Sequence, residues 1–354
     1  MAVSNKSNKS NKSNKSNKSN KSGLEADELS SVGEESSITL SYALQSALLA
    51  YKVPDPGVKD PAGIIVADDL QFRRMNARHR DHLMIKELLK DVVVTEDTNP
   101  APPAKTKRAT LSVGNKPWLT LTLDLRDPRF WELQVKDLIS MKWHRDERMS
   151  EIVLQQADLL SFMTLGMPVA ADTHPWLMVL MDLVQEAAFQ VATEFKAIFR
   201  MPRPDQLSPA VAPIIRTPAH SAVPSGHATE VFAAAAVLGG LFPGHAKHLR
   251  LMAGRIAMNR SYAGVHFAVD HHAGALLGDA LGRLIIERAL GGTFTGNISA
   301  NAFTAGVAPA VPPPFGTDVE NYAGMLPAFP LIPDGSTAPG GLLGLLLKRV
   351  NAEL

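Results

Sequence analysis

The stretch VPSGHATEVFAAAAVLGGLF, residues 223–242, decides the fold of this chain. Proline, serine, glycine and histidine stand at the start of a run rich in Ala, Val and Leu, a composition that favours a helix. The Ala-rich part, 228–236, indicates close packing against neighbouring helices, because small side chains let helix axes approach. The sequence therefore predicts a packed helix at about 227–241 with an unusual polar start.

The chain around this stretch is also mostly helical in pattern. From about residue 127 onward, apolar residues recur at three- and four-residue spacing. A long loop with six prolines, residues 200–226, separates two of the helices. The alternating stretch 118–124 predicts one strand or an extended arm. We expect an all-α fold, a helical bundle, with helices in the ranges 130–141, 147–167, 172–199, 227–241, 244–259 and 268–290.

Changes in composition divide the chain into four parts. Residues 4–21 repeat Ser-Asn-Lys six times and contain no apolar residue, so they have no surface to bury and predict a disordered tail. The expected divisions are a tail at 1–36, a helical or extended segment packing on the core at 37–126, a catalytic helical bundle at 127–291, and a Gly/Pro-rich segment with a short terminal helix at 292–354.

The overall composition limits the function. A net charge of +1 gives no general attraction to nucleic acid or to a membrane surface. The absence of cysteine excludes disulfides, thiolate metal sites and a thiol nucleophile. No apolar run reaches the ~18 residues that span a bilayer, and no secretory signal is recognisable, so a cytoplasmic location is the default expectation. A homo-oligomer is compatible with these features.

The polar start of the helix suits an anion. Ser225 and Gly226 precede the first free N–H groups of the helix, where the positive end of its dipole lies. Gly226 allows close backbone approach, and Ser225 adds a hydroxyl. When the tetrapeptide is taken alone, a simple capping turn with an incidental His227 explains it better than an anion site does.

Three cations and a histidine–aspartate pair extend this interpretation. Lys196 and Arg203 flank the end of the preceding helix, and Arg260 lies near the end of a later one. Arginine stays protonated, and its planar fork matches a tetrahedral oxyanion. His266 and Asp270 are four residues apart, so on a helix the carboxylate could orient the imidazole.

These residues match a known pattern. The chain has three motifs in a fixed order: a lysine separated by six residues from Arg-Pro, then PSGH, then an arginine separated by five residues from a histidine that is itself separated by three residues from an aspartate. This order and spacing resemble the three-part signature of one superfamily. That superfamily joins type-2 phosphatidic acid phosphatases, bacterial acid phosphatases and vanadium-dependent haloperoxidases. The third motif usually opens Ser-Arg, whereas this chain has Asn259 before Arg260. The resemblance implies the helical bundle of the acid phosphatase and haloperoxidase type.

The resemblance also implies a role for each matched residue. Lys196, Arg203 and Arg260 would hold the oxygens of phosphate or vanadate, and Ser225 with the Gly226 N–H would complete the cradle. His227 would be the general acid and base. His266, oriented by Asp270, would attack phosphorus or serve as the axial ligand of vanadium.

Two chemistries fit the same residues. His220 lies seven residues before His227, and vanadium bromoperoxidases resemble this chain in having a histidine there. We therefore expect a vanadate-dependent haloperoxidase that uses hydrogen peroxide and bromide or iodide. The alternative is a phosphomonoesterase that needs no cofactor and acts through a phosphohistidine. In either case the partners would be small molecules, with no nucleic acid and no membrane span.

Two interpretations from other classes remain open. The stretch HFAVDHH, residues 266–272, could hold a metal through its histidines and Asp270. The chain could also be a helical binding protein that retains the motifs without catalysis. The sequence leaves the halide, the phosphoester and the oligomeric state undetermined.

Overall fold

The computed structural model describes residues 41–46, 72–98, 101–289, 302–305 and 341–354. The predicted tail at 1–36 and most of the Gly/Pro-rich segment that begins at 292 lie outside these residues. The described helices of four or more residues that are used below are α1 (Ala77–Leu88), α2 (Pro128–Met141), α3 (Met149–Leu154), α4 (Leu160–Met163), α5 (Pro175–Phe199), α6 (Pro204–Leu207), α7 (Gly226–Leu241), α8 (Ala246–Tyr262), α9 (Ala268–Ala289) and α10 (Leu342–Glu353).

Helix α7 is the centre of the bundle, and the predicted helical bundle is confirmed. It packs against α5, α8 and α9. Its side chains from Val231 to Leu238 are buried. A helix that is apolar on all sides has to be enclosed in this way, because each exposed face would leave apolar surface in water.

The contact between α7 and α9 is unusually close. Gly274, Gly278 and Gly282 follow one another at four-residue spacing on α9, so they lie on one face of that helix. A Cβ on Gly278 would lie 2.9 Å from the backbone nitrogen of Ala233 and 2.9 Å from the Cβ of Phe232. The missing side chains therefore set the distance between the helix that carries His227 and the helix that carries Asp270.

A small sheet accompanies the bundle, where the sequence indicated a single strand. The strands are β1 (Val92–Glu96), β2 (Thr106–Val113), β3 (Lys116–Asp124) and β4 (Ala302–Ala305). They lie in the order β1-β2-β3-β4; β1 and β3 are antiparallel to β2, and β4 is parallel to β3. Only β3 shows a clear alternation of apolar residues in the sequence, which is why the other strands were missed.

The C-terminal helix α10 is joined to the bundle by two carboxylates. Glu353 accepts the backbone N–H groups of Trp176 (2.9 Å) and Leu177 (3.0 Å) at the start of α5. Glu87 of α1 accepts the N–H of Leu342 (3.0 Å) at the start of α10. Each carboxylate satisfies free donors at the positive end of a helix. Within the described ranges, no helix combines the length and the apolar character needed to cross a lipid bilayer.

We expect Gly278→Ala to destabilise the protein by about 1–3 kcal/mol, since overpacking a filled interface forces the two helices apart. Gly244→Ala is the matched control, because a Cβ at Gly244 would meet no atom within 4 Å. Denaturant unfolding of both variants measures the difference. Equal free energies of unfolding for the two variants would mean that α9 does not depend on this close approach.

Candidate functional site

The start of α7 is fixed to the start of α9. Ser225 is the N-cap of α7, and its hydroxyl accepts the Ala228 N–H. The Ser225 N–H donates to the backbone oxygen of Asp270 (2.9 Å). A Cβ on Gly274 would lie 2.7 Å from the Ser225 oxygen, so the glycine is needed for this contact. The cradle residues Ser225 and Gly226 are thereby brought next to the helix that carries Asp270.

Lys196 reaches the same place from the last turn of α5. Its ammonium donates to the backbone oxygens of Ser221 (2.9 Å) and Pro224, just before the α7 cap. Burial, together with the positive charge of Arg203, lowers the pKa of Lys196 to about 7. The lysine is therefore a cation whose charge depends on pH near neutrality.

Arg203 connects two of the three predicted histidines, His220 and His266. Helix α5 ends at Arg200, which has a left-handed conformation (φ 52°), and the chain then turns to bring Arg203 into the interior. The Arg203 guanidinium lies 2.9 Å from His266 Nε2 and 3.0 Å from His220 Nδ1, and it donates to the oxygens of His220 and Val265. Burial lowers the pKa of Arg203 to about 10, which leaves it protonated at neutral pH.

The hydrogen bonds of His266 determine its tautomer. Because a guanidinium can only donate, His266 Nε2 must accept from Arg203 and must carry a lone pair. The proton is then on Nδ1, which lies 2.9 Å from Asp270 Oδ2. Burial and the charges of Arg203 and Lys196 hold the pKa of His266 well below its ordinary value. The imidazole is thus neutral, with its free electron pair on the nitrogen away from Asp270.

Asp270 is positioned by the first turn of its own helix. Its Oδ2 also accepts the Phe267 N–H (2.9 Å), which fixes the carboxylate beneath the His266 ring. Burial raises the pKa of Asp270 to about 7. This buried carboxylate opposes the charges of Lys196 and Arg203.

Arg260 has buried donors that meet no acceptor among the residues that the structure describes. One of its nitrogens, Nη2, donates to the Ile152 oxygen (2.9 Å) and to Gln155 Oε1 (3.3 Å). Its Nε and Nη1 are buried, and neither has a hydrogen-bond partner in the described part of the chain. Buried donors of this kind are costly unless a ligand satisfies them. A tetrahedral oxyanion would supply the missing acceptors.

His227 lies on the first turn of α7 beside these cations. Its Nε2 is 3.1 Å from the backbone oxygen of Gln155 and must donate to it, which leaves Nδ1 for a ligand. Burial and the neighbouring Arg260 lower the pKa of His227 to about 3. Lys196, Arg203 and His266 are also close enough for their charges to interact with this ring.

The structure therefore brings all nine candidate residues into one region. His220 is the most exposed of them and lies at its edge. The histidines of 266–272 are not arranged as a metal site: His271 Nε2 bonds Ser261 Oγ (2.8 Å), and no cluster of three metal-binding side chains occurs among the residues described. The structure thus gives no support to the metal interpretation.

The sequence analysis did not assign a role in the site to two residues that support its geometry, Gln155 and Arg145. Gln155 is fully buried and contacts both Arg260 and His227. Arg145 donates to the oxygens of Val211, Ala212 and Tyr262, and so attaches the proline-rich loop to the end of α8. Gln155 could have been noticed as a polar residue on the buried stripe formed by Ile152 and Leu159.

Comparison with known proteins agrees with this geometry. The family model described as the PAP2 superfamily matches residues 176–289. This range contains every residue of the predicted site. This segment therefore resembles the PAP2 superfamily, which supports the superfamily predicted from the three motifs.

Other comparisons are weaker. A solved structure described as the first transmembrane PAP2 type phosphatidylglycerolphosphate phosphatase from Bacillus subtilis matches with 24% identity. The match covers 44% of this chain and 75% of that one, and its TM-score of 0.24 is too low to support an argument about fold or activity. No curated protein matches the chain. The haloperoxidase branch stays a prediction.

Anion binding should weaken as pH rises. Lys196 loses its proton and Asp270 gains a negative charge as the pH passes about 7, and both changes reduce the positive potential of the site. We expect the affinity for sulfate, whose charge is constant in this range, to fall about tenfold between about pH 6 and about pH 8.5. Calorimetric titration of the protein with sulfate measures this.

Lys196→Arg is the matched comparison, since arginine keeps its charge throughout. Its sulfate affinity should depend less on pH than that of the unaltered protein. A sulfate affinity that is constant with pH in the unaltered protein would contradict the assignment of Lys196 to the anion site.

Proposed function

We propose that the protein is a phosphohydrolase that cleaves phosphate monoesters through a phosphohistidine at His266. The observation that carries this proposal is the tautomer of His266. Its Nδ1–H is directed at Asp270, and its Nε2 lone pair faces the Arg203 guanidinium. A neutral imidazole with an oriented lone pair next to a cation is a nucleophile placed where an anionic substrate would be held.

The substrate phosphate would be bound by charge and by free N–H groups. Lys196, Arg203 and Arg260 provide three cations, and the start of α7 provides backbone donors. The unsatisfied Nε and Nη1 of Arg260 support this role most directly. In the complex, Arg203 would transfer its Nη1 hydrogen bond from His266 to a phosphate oxygen, which frees the histidine for attack.

Two displacements complete the reaction. His266 Nε2 forms a bond to phosphorus as the bond to the leaving oxygen breaks, and His227 donates the Nδ1 proton to that oxygen. Water then attacks the phosphohistidine, neutral His227 accepts a proton from the water, and the P–N bond breaks to release phosphate and His266. The cations stabilise the charge on the transferring group in both steps.

Substrate binding would itself prepare the general acid. In the free protein the pKa of His227 is about 3, so its ring is neutral at physiological pH. A phosphate dianion placed between the ring and the cations opposes their repulsion and raises the pKa of His227. The proton would therefore be available mainly when a substrate is present.

The haloperoxidase prediction concerns the same residues. Lys196, Arg203, Arg260 and His266 fit vanadate as they fit phosphate, because the unsatisfied donors of Arg260 suit any tetrahedral oxyanion. Bound vanadate would supply the activation of peroxide. The superfamily match favours neither chemistry in itself, and a phosphatase needs no further component, so we place phosphate ester hydrolysis first.

One assay compares the two chemistries. The purified protein is tested for p-nitrophenyl phosphate hydrolysis and, after incubation with orthovanadate, for bromide oxidation by hydrogen peroxide. We expect ester hydrolysis in the untreated protein and its inhibition by vanadate. Bromide oxidation without ester hydrolysis would reverse the assignment in favour of the haloperoxidase.

Replacing His266 tests the nucleophile. We expect His266→Ala to reduce p-nitrophenyl phosphate hydrolysis by about 10³-fold or more, because the covalent route is lost. An alkaline quench of the unaltered enzyme during turnover should yield a peptide containing residue 266 that carries one extra phosphoryl group.

His248→Ala is the control for this replacement. His248 is exposed and bonds the Leu165 oxygen. Its alanine variant should retain full activity. Substantial hydrolysis by His266→Ala, or phosphorylation at another residue, would refute the proposed route.

A further inference from the structure

Gln155 lies where two parts of the proposed reaction meet. It follows the short helix α3 and is fully buried, although it is a polar residue. Its backbone oxygen and its side-chain oxygen bond two different site residues. A buried amide with this arrangement can fix the relative position of both partners.

The backbone oxygen of Gln155 determines which nitrogen of His227 faces the substrate. It accepts the Nε2–H of His227 at 3.1 Å, so Nδ1 is the nitrogen available to a leaving group. When Nδ1 is protonated, the Nε2–H bond remains and the same oxygen stabilises the imidazolium. The acid function of His227 therefore depends on where residue 155 is held.

The side chain of Gln155 determines how Arg260 is presented. Its Oε1 accepts from Arg260 Nη2 (3.3 Å), which leaves Nε and Nη1 of the guanidinium for an anion. The same Oε1 accepts from Asn259 Nδ2 (2.9 Å). Asn259 replaces the serine usual in the third motif, and here its longer side chain reaches Gln155.

Helix α3 is in turn held on α8 by charge. Glu151 binds Arg255 through two hydrogen bonds (2.6 and 2.9 Å) and accepts from Asn259 Nδ2 (2.9 Å). The bidentate pair has a defined geometry, so it fixes the direction in which α3 enters the site. The chain from Arg255 through Glu151 and Asn259 to Gln155 is continuous.

We propose that Gln155 is a positioning residue that holds both the general acid His227 and the phosphate-binding Arg260. The part of this inference that concerns His227 rests on the proposed function. The part that concerns Arg260 depends only on anion binding at the site. Its consequence is a specific defect. Loss of the Gln155 side chain should harm the departure of poor leaving groups more than that of good ones.

Two variants and one control test the proposal. Gln155→Met keeps the length of the side chain and removes the acceptor for Asn259 and Arg260. Gln155→Glu keeps the acceptor and adds a charge that pairs with Arg260. Gln156→Ala is the matched control, because Gln156 is the exposed neighbour and its side chain donates to the backbone oxygen of Val153, outside the site.

The first measurement is turnover of two substrates with different leaving groups. p-Nitrophenolate is a weak base and leaves with little help from a general acid. The phenolate of phenyl phosphate is more basic, so its departure depends more strongly on protonation. For Gln155→Met we expect kcat for phenyl phosphate to fall about 10- to 100-fold, with a smaller loss for p-nitrophenyl phosphate. For Gln155→Glu we expect KM for both substrates to rise about tenfold, as Arg260 is neutralised. Gln156→Ala should match the unaltered enzyme.

The second measurement needs no turnover. Sulfate affinity is measured by calorimetry, and the titration of His227 is followed by NMR of ¹³C-labelled histidine, its signal assigned by its absence in His227→Gln. Gln155→Glu should bind sulfate about tenfold more weakly, and Gln155→Met should shift the His227 titration. An inactive unaltered protein would refute the proposed hydrolysis, yet these two readouts would still decide the role of Gln155.

The proposal is overturned by two results. One is an equal loss of kcat for both substrates in folded Gln155→Met, which would indicate a structural role. The other is unchanged sulfate affinity in Gln155→Glu together with an unchanged His227 titration in Gln155→Met. Thermal unfolding of each variant confirms that folded proteins are being compared.

Discussion

Burial of three cations beside one another is the constraint on which this structure depends. Lys196, Arg203 and Arg260 are each at most 6% exposed, and the carboxylate of Asp270 opposes the charges of Lys196 and Arg203. Such a cluster is costly to desolvate, and it persists because backbone oxygens accept the donors of all three side chains. Those oxygens belong to the loop before α7, to the loop before α9 and to α3. The packing of the bundle around α7 therefore brings together the carbonyl groups that stabilise the three buried cations.

Burial, together with this excess of positive charge, explains why His227 and His266 are neutral. His227 and His266 both lie in a positive and largely dry environment, so their pKa values fall. For His266 this is what a nucleophile requires, because the lone pair must be free. For His227 it means that acidity depends on an anion in the site. The environment lowers the pKa of both rings, and in the proposed reaction the two roles would differ by position, because only His266 lies beside Asp270 and only His227 bonds Gln155.

Prediction from the sequence succeeded where short-range spacing carries the information. The lysine, arginine, histidine and aspartate positions follow from fixed intervals. The contact of His266 with Asp270 was expected from their four-residue spacing on a helix, whereas His266 lies just before the first residue of α9. It failed where distant segments meet. The strands β1 and β2 lack a clear alternation, and β4 pairs with β3 from nearly two hundred residues away. The apolar stripe around Gln155 could have indicated its burial, but its partners lie 72 and 105 positions further along the chain, so no local pattern indicates its contacts.

The sequence by itself determined the helical class, the resemblance to the superfamily and the identity of the charged groups, because these depend on residue type and on short intervals along the chain. The tertiary structure decided which hydrogen bonds those groups make: the tautomer of His266, the nitrogen that His227 presents and the unsatisfied donors of Arg260. These properties depend on which carbonyl or carboxylate lies within about 3 Å of each nitrogen. That distance is set by the packing of α3, α7, α8 and α9, and the glycines of α9 allow the closest of those contacts.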